Sequence, residues 1–79
     1  MMIKVYSTKT CPWCAKVKEY LDGKGVAFES VDVQANREAA MEMVRKTGQM
    51  GVPVTQIGEK YIVGYNPEAI DAELANQEQ

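Results

Sequence analysis

Cys11 and Cys14 are the only two cysteines among 79 residues, and Pro12 and Trp13 separate them. Thiols at this spacing, on the first turn of a helix, stand within bonding reach of each other. Their chemistry runs through the thiolate, because the protonated thiol is a poor nucleophile and a poor metal ligand. A helix N-terminus favours an anion through its unpaired N–H groups and the positive end of the macrodipole. Cys11 is predicted at the cap, where that effect is greatest. Pro12 suits the first helical position, where its missing N–H costs nothing. Lys9 lies two residues upstream and adds positive charge. Cys14 shares the face of Val17 and is expected to be more buried. The asymmetry assigns the roles: Cys11 attacks a disulfide to form a mixed disulfide, and Cys14 resolves it.

Other uses of a cysteine pair fit less well. A structural disulfide here closes a very short loop and stabilises little, since the entropic gain grows with loop length. Zinc held within one chain needs about four N, S or O ligands. The sequence has no histidine and no second cysteine pair, so no resident metal is expected. A cluster shared between two chains stays open as a secondary activity. Thiol–disulfide exchange, with no bound cofactor, is the leading expectation.

Composition bounds the setting of that chemistry. Apolar residues make up 46% of the chain and charged residues 25%, a balance that argues for a folded domain against disorder. At this length one domain spanning residues 1–79 is expected. The net charge of −2 supplies no broad basic face for a phosphate backbone, which argues against nucleic acid as a partner. Met1 to Thr10 contains no apolar run of signal-peptide length, and Lys4 and Lys9 interrupt it. Nothing approaches the roughly 20 apolar residues that span a bilayer. The expectation is a cytoplasmic monomer, in a compartment that keeps exposed thiols reduced.

The elements that must position the cysteines can be drawn coarsely. Ile3 to Tyr6 alternates and reads as a strand, followed by a polar loop from Ser7 to Thr10. From Cys11 the pattern turns helical: Cys14, Val17 and Leu21 share one face with Tyr20 beside them, and Gly23 and Gly25 end it. Val26 to Val33 reads as a second strand. Asn36 is a plausible cap for a helix from Arg37 to about Thr47, with Ala40, Met41 and Val44 as its inward stripe, Met43 flanking it, and Gly48 stopping it. Val54–Ile57, a Gly58-Glu59 turn and Lys60–Val63 read as a hairpin. Pro67 opens a last helix with Ile70 and Leu74 inward, and the polar end from Ala75 to Gln79 is expected to fray. The order is β-α-β-α-β-β-α. It predicts an α/β fold with parallel pairing first, an antiparallel hairpin last, and helices flanking a small mixed sheet.

Several segments together carry a family resemblance. Val5-Tyr6-Ser7-Thr8-Lys9-Thr10 leads into Cys11-Pro12-Trp13-Cys14, close to a Cys-Pro-Tyr-Cys motif. Gly51-Val52-Pro53-Val54 stands where a Thr-Val-Pro segment is usual, and Val63-Gly64-Tyr65-Asn66 where a Gly-Gly pair is usual. From Ile3 to about Leu74 the chain resembles the glutaredoxins, within the thioredoxin-like fold. The resemblance implies a cis peptide before Pro53 and an electron carrier for disulfide-containing protein substrates, with glutathione as reductant. It also implies a glutathione site. Val52 beside Pro53 offers backbone hydrogen bonds, Lys9 and Arg37 meet carboxylates, and Trp13 next to Pro12 lines the groove. Gly64, Tyr65 and Asn66 complete it. The departures bear on the donor. Gly51 replaces Thr, Val63 replaces the first glycine, and Tyr65-Asn66-Pro67 replaces a more polar run that holds the γ-glutamyl end of glutathione. Similar changes occur in small bacterial redoxins recharged by thioredoxin reductase, which makes that enzyme the alternative donor. A glutathione-bridged iron–sulfur carrier is the other alternative, against which Pro12 argues mildly.

Overall fold

The computed structural model describes residues 3–49 and 51–77. Seven elements follow in order: β1 (Ile3–Ser7), α1 (Pro12–Gly23), β2 (Glu29–Asp32), α2 (Arg37–Thr47), β3 (Val54–Ile57), β4 (Lys60–Val63) and α3 (Pro67–Gln77). The four strands form one sheet in the order β2-β1-β3-β4. β1 pairs parallel with β2 and antiparallel with β3, and β3 pairs antiparallel with β4. The α/β order and the mixed sheet expected from the sequence are both present.

Strand alternation sends successive side chains to opposite faces and so builds two cores. Ile3 and Val5 of β1 join Ile57 and Ile62 on one face, where Val17 and Leu21 of α1 and Ile70 and Leu74 of α3 cover them. Tyr6 and Val54 face the other way and are covered by Met43 of α2. Thr55 lies opposite Val5, and its Oγ1 is buried without a hydrogen-bond partner. The Tyr6 hydroxyl donates to Gln56 Oε1 at 2.9 Å. Burial first, then the neighbouring Tyr61, push its pKa up to about 12, so the phenol stays a donor at neutral pH.

Three expectations are corrected. The second strand begins at Glu29, not Val26. The Val26 N–H is already bonded to the Leu21 carbonyl at 3.1 Å, closing the end of α1, and Val26 and Phe28 pack against the core from an irregular segment. On α2 the inward residue is Met43, at 1% exposure, with Ala40 and Val44 half-buried, whereas Met41 is 65% exposed. Asn36 fixes the helical phase, its Oδ1 accepting the Ala39 N–H at 3.0 Å, and Met41 then stands about 200° from Met43 around the axis. Gly48 ends α2 in the left-handed region at φ 74°, as its place after the last helical turn predicts. The polar end expected from Ala75 onward is helical through Gln77; Glu78 and Gln79 lie outside the described residues.

Candidate active site

The parallel strand β1 ends at Ser7, and the chain needs only Thr8 to Thr10 to reach the start of α1. Cys11 is the N-cap, with extended φ and ψ of −98° and 108°. Its Sγ accepts the Cys14 N–H at 3.1 Å, the place a serine or aspartate oxygen takes in an ordinary cap. Pro12 is exposed at the first helical position. Cys11 and Cys14 are joined as a disulfide with Cα atoms 5.3 Å apart. Cys14 is 1% exposed, packed on the Val17 side, while Cys11 is only half-buried. One sulfur is therefore presented and the other sits beneath it.

The wall facing the disulfide comes from the segment before β3. The Val52–Pro53 peptide is cis, and the Val52 carbonyl oxygen lies 3.9 Å from Cys11 Sγ. Pro53 is buried, and its carbonyl accepts the Gly64 N–H at 2.8 Å. Gly64 has φ 80°, a left-handed conformation that side chains disfavour, and this bend turns Tyr65 back toward α1. The Tyr65 ring lies 6.0 Å from that of Trp13 and meets Tyr20 edge-on at 6.2 Å. Trp13, Val52, Pro53, Gly64 and Tyr65 line one shallow groove of about 320 Å³. No charged side chain lines it.

Those five residues are brought together as one surface; the other four sequence-predicted binding residues are not part of its lining. Lys9 is exposed in the loop just before Cys11, and Pro12 stands on the helix end. Asn66 Oδ1 accepts the Ala69 N–H at 3.1 Å and so caps α3. Arg37 is exposed at the start of α2, lining a separate groove with Val33 and Met41.

Sequence reasoning passed over two supports. Lys16 Nζ lies 4.6 Å from the Trp13 ring centroid, a cation–π contact. The Tyr20 hydroxyl donates to Asp71 Oδ1 at 2.7 Å, and Lys24 Nζ meets the same oxygen at 2.7 Å, tying α1 to α3 behind Tyr65. Lys24, then Tyr20, hold the Asp71 carboxyl below the usual carboxylate range. The i, i+3 spacing of Trp13 and Lys16 was the available signal for the first support; the second joins residues far apart in sequence.

In this arrangement a Cys11 thiolate faces solvent along a backbone edge, with a second thiol one turn away to displace whatever it captures. Among the described residues, no three His, Cys, Asp or Glu side chains converge as metal ligands, and no helix is long and apolar enough to cross a membrane.

Known proteins show the same organisation. The chain is 49% identical over 70 residues to a glutaredoxin-like 8.6 kDa protein of the rubredoxin operon of Clostridium pasteurianum, covering 89% of this chain and 93% of that one. It is 32% identical over 62 residues to glutaredoxin 3 of Escherichia coli, covering 78% and 75%. The solved structure of the glutaredoxin-like NrdH-redoxin of Escherichia coli superposes with a TM-score of 0.81 at 29% identity, over 91% and 93% of the two chains. The glutaredoxin family model matches residues 3–62, from the first strand through the cysteine turn and into the last strand. A thioredoxin-like fold that carries its cysteine pair on this turn is a thiol–disulfide oxidoreductase, and the chain belongs to the glutaredoxin family.

Proposed function

We propose that this protein is a dithiol electron carrier that reduces disulfides of protein substrates, with Cys11 as nucleophile and Cys14 as resolving thiol. The carrying observation is the placement of Cys11 Sγ at the helix cap, accepting the Cys14 N–H at 3.1 Å, over a nearly fully buried Cys14. The Cys11 thiolate attacks one substrate sulfur, and the substrate disulfide breaks with release of its other sulfur as a thiolate. Cys14 loses its proton to water and attacks Cys11 Sγ. The second substrate thiolate leaves, and the Cys11–Cys14 bond holds the oxidised state. Two electrons pass to the substrate, and its two sulfurs take up two protons.

The groove bears on which donor restores the dithiol. Glutathione carries two carboxylates and one ammonium group at neutral pH, and binding it calls for paired charges at both ends of the peptide. The groove is lined without a charged side chain, and Asn66 is occupied as a cap. These features support recharging by a protein dithiol of the thioredoxin reductase kind. The NrdH-redoxin structure is described as explaining a thioredoxin-like activity profile in a glutaredoxin-like protein. The second reading, glutathione, is favoured by the exposed Lys9 beside Cys11, which offers one carboxylate a partner.

The deciding experiment presents oxidised protein separately to NADPH with thioredoxin reductase and to glutathione with its reductase. Fast reduction by the flavoprotein alone is expected. Fast reduction by glutathione alone overturns the donor assignment and returns Lys9 and its neighbours to a glutathione site.

A further inference from the structure

Charge is distributed unevenly along this chain. The first 25 residues carry five lysines against two acidic residues, and the remainder carries four cations against nine acidic residues. The positive portion contains the cysteine turn: from Thr8 to Lys18 there are three lysines and no carboxylate. The ion pairs among the described residues are Lys4–Glu29, Lys24–Asp71 and Arg45–Glu42. Neither Lys9 nor Lys16 takes part in one. Lys9 is exposed on the loop entering the cap, and Lys16 is exposed with its ammonium against the Trp13 ring.

The apolar surface beside these cations is also open. Trp13 is 52% exposed and Tyr65 37% exposed, and their rings pack on each other at the lip of the groove. The nearest acidic residue along the chain, Glu68, sits in the first turn of α3, where the helix N-terminus accommodates a carboxylate. A partner's disulfide reaches Cys11 beside this lip, with Lys9 two residues before the cysteine and Lys16 against the Trp13 ring. A Debye length of about 10 Å at 0.1 M salt lets both ammonium groups act on that approach.

From this complementarity we propose that the physiological partner is a protein whose disulfide lies in an acidic segment, docked with its carboxylates on Lys9 and Lys16 and an apolar residue on the Trp13–Tyr65 lip. The inference rests on the oxidoreductase reading and adds the chemistry of the substrate. Electrostatic complementarity of this kind raises encounter rates and selects among partners, and it weakens with ionic strength.

The test uses three synthetic peptides that share one disulfide and differ only in flanking residues: Asp and Glu, Lys, or Ser and Gly. The dithiol form of the full chain is prepared with dithiothreitol and separated from it. Each peptide is then reduced to its two thiols as the protein becomes oxidised, and second-order rate constants are compared. At low salt the acidic peptide is expected to react about tenfold faster than the basic one, and the ratio should fall toward unity near 0.5 M salt. Lys16→Glu is expected to lower or reverse the preference, while Lys46→Glu, in the last turn of α2, leaves it in place. Equal rates for all three peptides, or a preference unchanged in Lys16→Glu, overturn the proposal. Failure to reduce even the Ser/Gly peptide instead overturns the oxidoreductase reading on which it stands.

Discussion

A cysteine sulfur is an unusual helix cap, and its value here changes with oxidation state. In the disulfide, Cys11 Sγ is a weak acceptor for the Cys14 N–H; as a thiolate it becomes a charged acceptor for the same donor at the positive end of α1. The cap therefore stabilises the attacking form more than the resting one. Cys11→Ser is expected to lower turnover about a thousandfold or more, to background, in an insulin or peptide disulfide assay. Cys14→Ser should still attack and then stall, leaving a mixed disulfide that mass spectrometry detects as the added mass of the substrate thiol. Full activity in Cys11→Ser would remove the role assignment. At this scale the sequence was clear about the cysteines, because cap, Pro12 and spacing are local features. At Asn66, counted with the binding residues from the sequence, it could not tell cap from contact: the side chain accepts the Ala69 N–H, and a polar residue before a proline looks the same whether it caps or binds.

Between elements, the structure depends on a few side chains that cross from α1 to α3. Asp71 receives both the Tyr20 hydroxyl and the Lys24 ammonium, and Tyr20 in turn supports the ring of Tyr65. Because Lys24 and Tyr20 depress the Asp71 pKa, the folded state binds that proton less tightly than the unfolded chain. The contribution is present above the ordinary carboxylate range and is lost as pH falls through the depressed value. Asp71→Asn should lower Tm by less than about 5 °C at pH 7, as expected for solvent-exposed pairs, and the difference from wild type should close in acid. Thermal unfolding followed by circular dichroism at both pH values checks this; a gap that persists in acid would assign the effect to packing. None of this clasp follows from local pattern, since Asp71 and Tyr20 are 51 positions apart. The same limit explains the misplaced stripe on α2. Met41 and Met43 are equally apolar, and only the phase set by Asn36 decides which one meets Tyr6 and Val54. Likewise Val26 and Phe28 have strand-like side chains, but a backbone bond to Leu21 withholds Val26 from the ladder.

On the scale of the whole molecule, the fold stands on its two hydrophobic clusters and not on its disulfide. A domain of this size buries about 60% of the surface its unfolded chain exposes, so its margin is modest, yet the bond spans a sequence separation of only three. Closing so short a loop removes about 2 kcal/mol or less of chain entropy, which the better-capped thiolate partly offsets. Reduction with dithiothreitol is expected to leave a cooperative transition and shift Tm by less than about 10 °C. Unfolding on reduction would make the bond structural. The element order was legible from hydrophobic periodicity and turn residues, whereas the strand order β2-β1-β3-β4 is a long-range property that the local pattern left open. That order gives the molecule two unlike ends. The C-terminal end of β1, the start of β3 and the end of β4 all meet at the cysteine turn. The Gly58-Glu59 hairpin turn lies at the opposite edge, where Ile57 pairs with Ile3. A dye, a tether or an inserted peptide placed at Glu59 thus points away from every incoming disulfide, and the domain can be immobilised or fused there with its working end facing outward.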